Sequence, residues 1–117
     1  IIPENHATFL TQNLPGPVTL IFPGATETLA PALLGDDRSI GIRIPDHSIS
    51  TTLVRQLGRP ITSTSVNRSG KPAMNDPTQI AEQFSEEIDL ILDTGTLPPS
   101  SGSTIYNLTR NPIEKLR

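Results

Sequence analysis

The stretch SIGIRIPDHSISTTLVRQLG, residues 39–58, holds two kinds of pattern in succession. Ile40, Ile42 and Ile44 alternate with Gly41 and Arg43, which is the spacing of a strand with one buried face. The alternation stops at Pro45, and residues 48–58 read as a helix, with Ser48 or Ser50 as N-cap and Gly58 just past its end. A strand followed by a helix is the repeating unit of an α/β fold.

The rest of the chain extends that reading. Residues 4–13 are a helix candidate that must stop before the Pro-Gly-Pro at 15–17. VTLIF at 18–22 reads as a buried strand, and residues 27–34 are ambiguous because Pro31 weakens a helix there. PITSTS at 60–65 reads as a strand, and residues 76–87 as a helix opened by Asp76 at the N-cap and Pro77 at the first helical position. Residues 88–93, 103–109 and 113–117 read as three further strands. Together these predict a mixed α/β sheet with at least one parallel crossover.

At 117 residues the chain is long enough for one domain and too short for two. Only 3% of it is aromatic, and its 12 prolines and 8 glycines cut it into short pieces, so its core must be small and aliphatic. It has no cysteine, which excludes disulfides and thiolate metal sites and suits a reducing, cytoplasmic setting. No apolar run is long enough to span a membrane, and no basic-then-apolar leader precedes the fold. The net charge of −3 argues against strong nonspecific nucleic-acid binding, which needs clustered bases. The charge is uneven, however. Arg43, Arg55, Arg59, Arg68 and Lys71 face the single acid Asp46, whereas Asp76, Glu82, Glu86, Glu87, Asp89 and Asp93 form an acidic block.

Three places could carry chemistry. Arg43 must point away from the isoleucine face, and its forked guanidinium suits a carboxylate or a phosphate; it equally suits a surface pairing with Asp46. Gly41 beside it would let a ligand approach the backbone. In ITSTSVNRSGKPA, residues 61–73, Ser63, Ser65 and Asn67 share one side of an extended chain. The turn at Ser69-Gly70-Lys71-Pro72 could offer backbone N–H groups to an anion. The same residues also suit an edge strand running into an Asx turn, with Arg68 and Lys71 merely solvating it. Ser101 and Ser103 sit at the mouth of a strand, where α/β sheets tend to place ligands. His6 and His47 have no matching cysteine or carboxylate pair, so no metal site is expected. There is no nucleophile elbow, P-loop or dinucleotide fingerprint.

As a set, LPGPVTLIF, IGIRIPDHSI, TSVNRSGKPA, LILDTG and SGSTIYNLT resemble the YrdC-like family, the threonylcarbamoyl-AMP synthases, in order and approximate spacing. The resemblance implies a twisted mixed sheet with flanking helices and a concave ligand groove. It implies condensation of L-threonine, bicarbonate and ATP into threonylcarbamoyl-AMP with release of pyrophosphate. That product feeds the threonylcarbamoyladenosine modification of tRNA, with tRNA or tRNA-modification proteins as further partners. Mg²⁺ would accompany ATP as substrate, with no tightly bound cofactor, and no oligomeric state is implied.

Carried over by position, the resemblance gives Arg43, Ser63 and Ser103 as threonine contacts. It gives Ser65 and Asn67 as catalytic residues near nucleotide and carbamate, and Ser39, Ala73 and Arg117 as nucleotide-side residues. Val66 stands where the family commonly has Ala, and Leu14 where an aromatic residue often precedes Pro-Gly-Pro. The family's N-terminal portion, with a Lys-x-Arg motif that grips ATP phosphates, has no counterpart in this sequence. A partial domain over 1–117 with little synthase activity of its own is therefore expected. A non-catalytic nucleotide- or RNA-binding module, or a carbamoyltransferase-type domain, is the alternative.

Overall fold

A computed structural model describes residues 6–24 and 27–117. The chain divides into two compact units, residues 1–60 with 102–117, and residues 61–101. The first unit is built on a four-stranded sheet of order β2-β1-β3-β4, with β1 at Val18–Pro23, β2 at Ser39–Ile42, β3 at Thr104–Asn107 and β4 at Glu114–Lys115. β1 pairs with β2 antiparallel and with β3 parallel, and β3 pairs with β4 antiparallel. The sheet is thus mixed with one parallel pair, as the strand–helix alternation predicts.

The alternation of VTLIFP decides which face is the core. Val18 and Leu20 are buried and pack with Leu108, while Phe22 and Tyr106 border them on the same face. Helix α1, Ala7–Asn13, lays Phe9 and Leu10 against this cluster. The Phe9 and Tyr106 rings meet edge to face at 5.0 Å and 82°, the arrangement the ring quadrupoles favour. The Pro-Gly-Pro turn ends α1 as expected, and the Gly16 N–H donates to the Ile44 carbonyl, tying that turn to the end of β2. Residues 27–34, ambiguous in sequence, hold a short 3-10 turn at Pro31–Leu33.

Helix α2, Ser48–Leu57, ends on Gly58, whose φ of 70° closes the helix in the left-handed region. Its N-cap is His47, one or three residues before the expected serines. The His47 carbonyl already accepts from the Thr51 N–H, so the first helical turn starts there. Along α2, Ile49, Leu53 and Leu57 form one stripe, yet each remains between 39% and 46% exposed.

The second unit contains helix α3, Pro77–Phe84. Asp76 caps it, accepting from the Thr78 and Gln79 N–H groups, with Pro77 in the first turn as predicted. Residues 60–65 and 88–93 are not strands. Leu90 and Leu92 are 75% and 56% exposed, and among the described residues neither run has a neighbouring strand to take its N–H and C=O groups. Alternation can extend a chain, but only a partner backbone makes it a strand. Within this unit Arg68 donates from both ends of its guanidinium to the Glu87 carboxylate and lies 4.6 Å from the Phe84 ring centroid.

Two outcomes follow from this packing. Leu20 is fully buried, so Leu20→Ala should lower unfolding free energy by roughly 3 kcal/mol in urea titration, against about 0.5 kcal/mol or less for Leu90→Ala. The hydrogen bond from Arg68 holds the Glu87 carboxyl below its ordinary value of 4.5. Because the folded value is the lower one, the pair's contribution is complete above 4.5 and is lost as pH falls through the folded value. Carboxyl NMR titration should place Glu87 below 4.5 in the wild type and return it to about 4.5 in Arg68→Leu.

Candidate functional site

Because β2 runs against β1, its C-terminal end reaches the same edge of the sheet as the N-terminal ends of β1 and β3. Arg43 follows β2 directly, and Ser103 directly precedes β3, so the topology brings the two to one edge. Both lie on the face opposite the core, with Thr19 and Gly41; one further step of the β1–β2 register sets Arg43 level with Thr19. The Thr19 and Ser103 hydroxyl oxygens are 2.6 Å apart, and Ser103 is only 8% exposed. The Arg117 Nε donates to the Ser103 carbonyl at 3.1 Å. Gly102 makes room for that guanidinium: a Cβ there would stand 3.0 Å from Arg117 Nη2, and its φ of 87° is one that residues with side chains avoid.

Arg43 is exposed and pairs with no acid among the described residues, so the surface pairing with Asp46 is not formed. The edge therefore combines two guanidinium groups with a shielded hydroxyl pair. That combination can hold a carboxylate or phosphate by charge-assisted bonds while a hydroxyl reads a neighbouring polar group. Open parallel sheets hold ligands at strand carboxyl ends. Here Ser103 lies at an amino end, and only the reversed β2 contributes a carboxyl end.

Ser39 does not join this cluster. It opens β2 opposite Pro23, and four residues of extended chain, about 13 Å, separate it from Arg43. Its hydroxyl and backbone N–H both bond to Asp37 and hold that carboxyl below its ordinary value. A crevice of about 430 Å³ at this opposite end is lined by Pro23, Gly24, Asp37, Arg38, Thr109 and Arg110, none of them an expected site residue.

In the second unit, Ser65, Asn67 and Ala73 gather at the base of one loop. The Met74 N–H donates to the Val66 carbonyl at 2.8 Å and closes it, while the Lys71 N–H donates to the Arg68 carbonyl at 2.9 Å across the tip. The Ser65 hydroxyl donates to the Asn67 side-chain oxygen, and the Asn67 amide donates to the Arg68 carbonyl at 3.0 Å. Ser63 lies on the exposed run before them. Of the two bases in this loop, Arg68 is occupied by Glu87 and Phe84, so its first role is structural.

Two residues of the sheet edge escape a reading by type and spacing. Thr19 sits inside an apolar strand and looks like filler, and Gly102 looks like an ordinary loop glycine. The available signal for Thr19 is that it is the polar residue on the non-core face of VTLIF. For Gly102 it is the glycine directly before the strand-opening serine.

A family model for Sua5/YciO/YrdC, described as telomere recombination, matches residues 1–117. The chain is 34% identical over 116 residues to the threonylcarbamoyl-AMP synthase of Pyrococcus abyssi, covering 99% of this chain and 34% of that protein. To the Bacillus subtilis threonylcarbamoyl-AMP synthase it is 33% identical over 105 residues, covering 90% of this chain and 30% of that one. The crystal structure of P. abyssi Sua5 complexed with L-threonine superimposes with a TM-score of 0.89 at 33% identity, covering 100% of this chain and 34% of that chain. Escherichia coli YciO gives the same TM-score, 0.89, at 28% identity, with 57% of its chain covered. The chain thus spans about a third of the length of the first two relatives. Matched along its whole length by the family model and sharing the fold of these neighbours, it belongs to the Sua5/YciO/YrdC family.

Proposed function

We propose that this chain is part of an L-threonylcarbamoyladenylate synthase, a nucleotidyltransferase that joins L-threonine, bicarbonate and ATP into threonylcarbamoyl-AMP and releases pyrophosphate. The observation that carries the reading is the sheet edge where Arg43, Ser103 and Arg117 converge. It occurs in a frame that matches a threonine-bound Sua5 at a TM-score of 0.89. In this reading residues 1–117 form a partial YrdC-like domain.

Arg43 takes the threonine carboxylate with its guanidinium fork, and Ser103 and Ser63 hold the rest of the amino acid. Ser65 and Asn67, joined by their own hydrogen bond, stand beside the carbamate and the α-phosphate, where charge develops. Ala73, Ser39 and Arg117 serve the nucleotide side, with Ser39 the least supported because it lies at the far end of β2. The chemistry is mostly positioning: the threonine amine and bicarbonate form a carbamate with loss of water, and a carbamate oxygen then attacks the α-phosphorus as the bond to pyrophosphate breaks.

Among the described residues no three His, Cys, Asp or Glu side chains gather to hold a metal. Mg²⁺ in this reading arrives on the ATP phosphates. The product serves tRNA modification in the cytoplasm, with tRNA or its modifying proteins as onward partners. No helix of the described residues is long and apolar enough to cross a membrane.

In the intact protein, Arg43→Ala should weaken L-threonine binding by roughly 10- to 100-fold, the cost of a charge-assisted bond, and ATP binding much less. Equal losses in calorimetry would remove Arg43 from the threonine contacts. Asn67→Ala should slow pyrophosphate release by about tenfold or more, and wild-type turnover would take Asn67 out of the reaction. If the intact protein binds both substrates yet releases no pyrophosphate, it is a binding module and not a synthase.

A further inference from the structure

Ser103 is held at two points by groups from different parts of the first unit. Its hydroxyl meets Thr19 on β1 at 2.6 Å, and its carbonyl accepts from Arg117 beyond β4 at 3.1 Å. Because Ser103 is 8% exposed, water competes little for the hydroxyl pair, and the bond is correspondingly firm. Either hydroxyl can donate. When Ser103 donates to Thr19 its two lone pairs remain for a ligand, and when it accepts, its O–H and one lone pair remain; in both arrangements the bond to Thr19 fixes the rotamer from which they are offered.

Thr19 is itself constrained. It is β-branched, so its χ1 has few options. A Cβ on Gly41 would stand 3.3 Å from the Thr19 methyl, so that methyl occupies the space a side chain at 41 would need. With the methyl over Gly41, the hydroxyl is directed to Ser103. A line of contacts therefore crosses the sheet on its non-core face, from Gly41 on β2 through Thr19 to Ser103. Arg43, the expected carboxylate ligand, stands two residues from Gly41 on that face.

We propose that Thr19 is a positioning residue of the amino-acid site: it aims the Ser103 hydroxyl at the amino-acid substrate, and Gly41 keeps Thr19 in the rotamer that does so. This rests on the reading of Ser103 and Arg43 as amino-acid contacts. The Ser103 carbonyl, bonded to Arg117, is independent of the hydroxyl, so the nucleotide side is unaffected by a change at Thr19.

The test is calorimetric titration of the intact protein with L-threonine and, separately, with ATP. Thr19→Val, which keeps the shape and loses the hydroxyl, should weaken threonine binding about tenfold, the value of one buried hydrogen bond, and shift ATP binding less than about twofold. Thr19→Ser should restore threonine binding to within about twofold, which a purely structural role would not require. Gly41→Ala, which removes no hydroxyl, should also weaken threonine binding, and it decides the matter if Thr19→Val does not fold. Wild-type threonine affinity in Thr19→Val, or in Gly41→Ala where that variant decides, overturns the proposal. So does a Thr19→Ser variant no better than Thr19→Val. If Ser103→Ala weakens threonine binding while Thr19→Val does not, the positioning role alone falls. If neither Ser103→Ala nor Arg43→Ala changes threonine binding, the amino-acid site is elsewhere and both readings fall.

Discussion

β1 is hydrogen-bonded along both edges, antiparallel to β2 and parallel to β3. Those two directions set what meets at the end of the sheet. A parallel β2 would have carried Arg43 to the edge where β1 ends at Pro23, away from Ser103. The antiparallel pairing turns it back, so a residue from the carboxyl end of one strand meets residues from the amino ends of two others. Backbone hydrogen bonds do this work, and the side chains of the cluster inherit their places from it.

The core behind that sheet is small. Among the described residues Val18, Leu20 and Leu108 are the buried apolar side chains, with a rim of partly buried neighbours from α1 and β3. A core of this size holds a sheet in register through a few large contacts, Leu20 above all. It does not bury the stripe of α2, where Ile49, Leu53 and Leu57 keep contact with water. The helix is amphipathic by sequence, but its apolar face is not closed over by these residues.

The loop of the second unit divides its polar residues between two tasks. Asn67 and Ser65 bind each other, and Asn67 also holds the backbone at Arg68, which fixes the shape of the loop with Ser65 exposed and Asn67 half-buried. Arg68, adjacent in sequence, turns to Glu87 and Phe84 and fastens the loop to the region of α3. Neighbouring polar residues thus have different uses, Asn67 bonding within its own loop and Arg68 reaching across to Glu87. The acidic block partly explains itself in the same way, since Asp76 caps α3 and Glu87 receives Arg68.

Local signals were read correctly where the physics is local. An apolar run marks β1, alternation marks β2 and a β-branched run marks β3, while Asp76-Pro77 and Gly58 mark helix ends, because pattern and capping depend on residues within one or two turns. The same alternation misled at 60–65 and 88–93, where a strand needs a partner backbone that no local pattern supplies. Motif order, read as a resemblance, carried the family. The amino-acid sequence by itself therefore determined the helices, the strands that found partners, the polar residues available and the family they belong to. Only the tertiary structure decided that Thr19 and Ser103, 84 residues apart, share a hydrogen bond, that Arg117 closes on Ser103, and that Arg68 is an anchor. Those contacts depend on strand direction and register, which are properties of chain segments brought together and not of any segment alone.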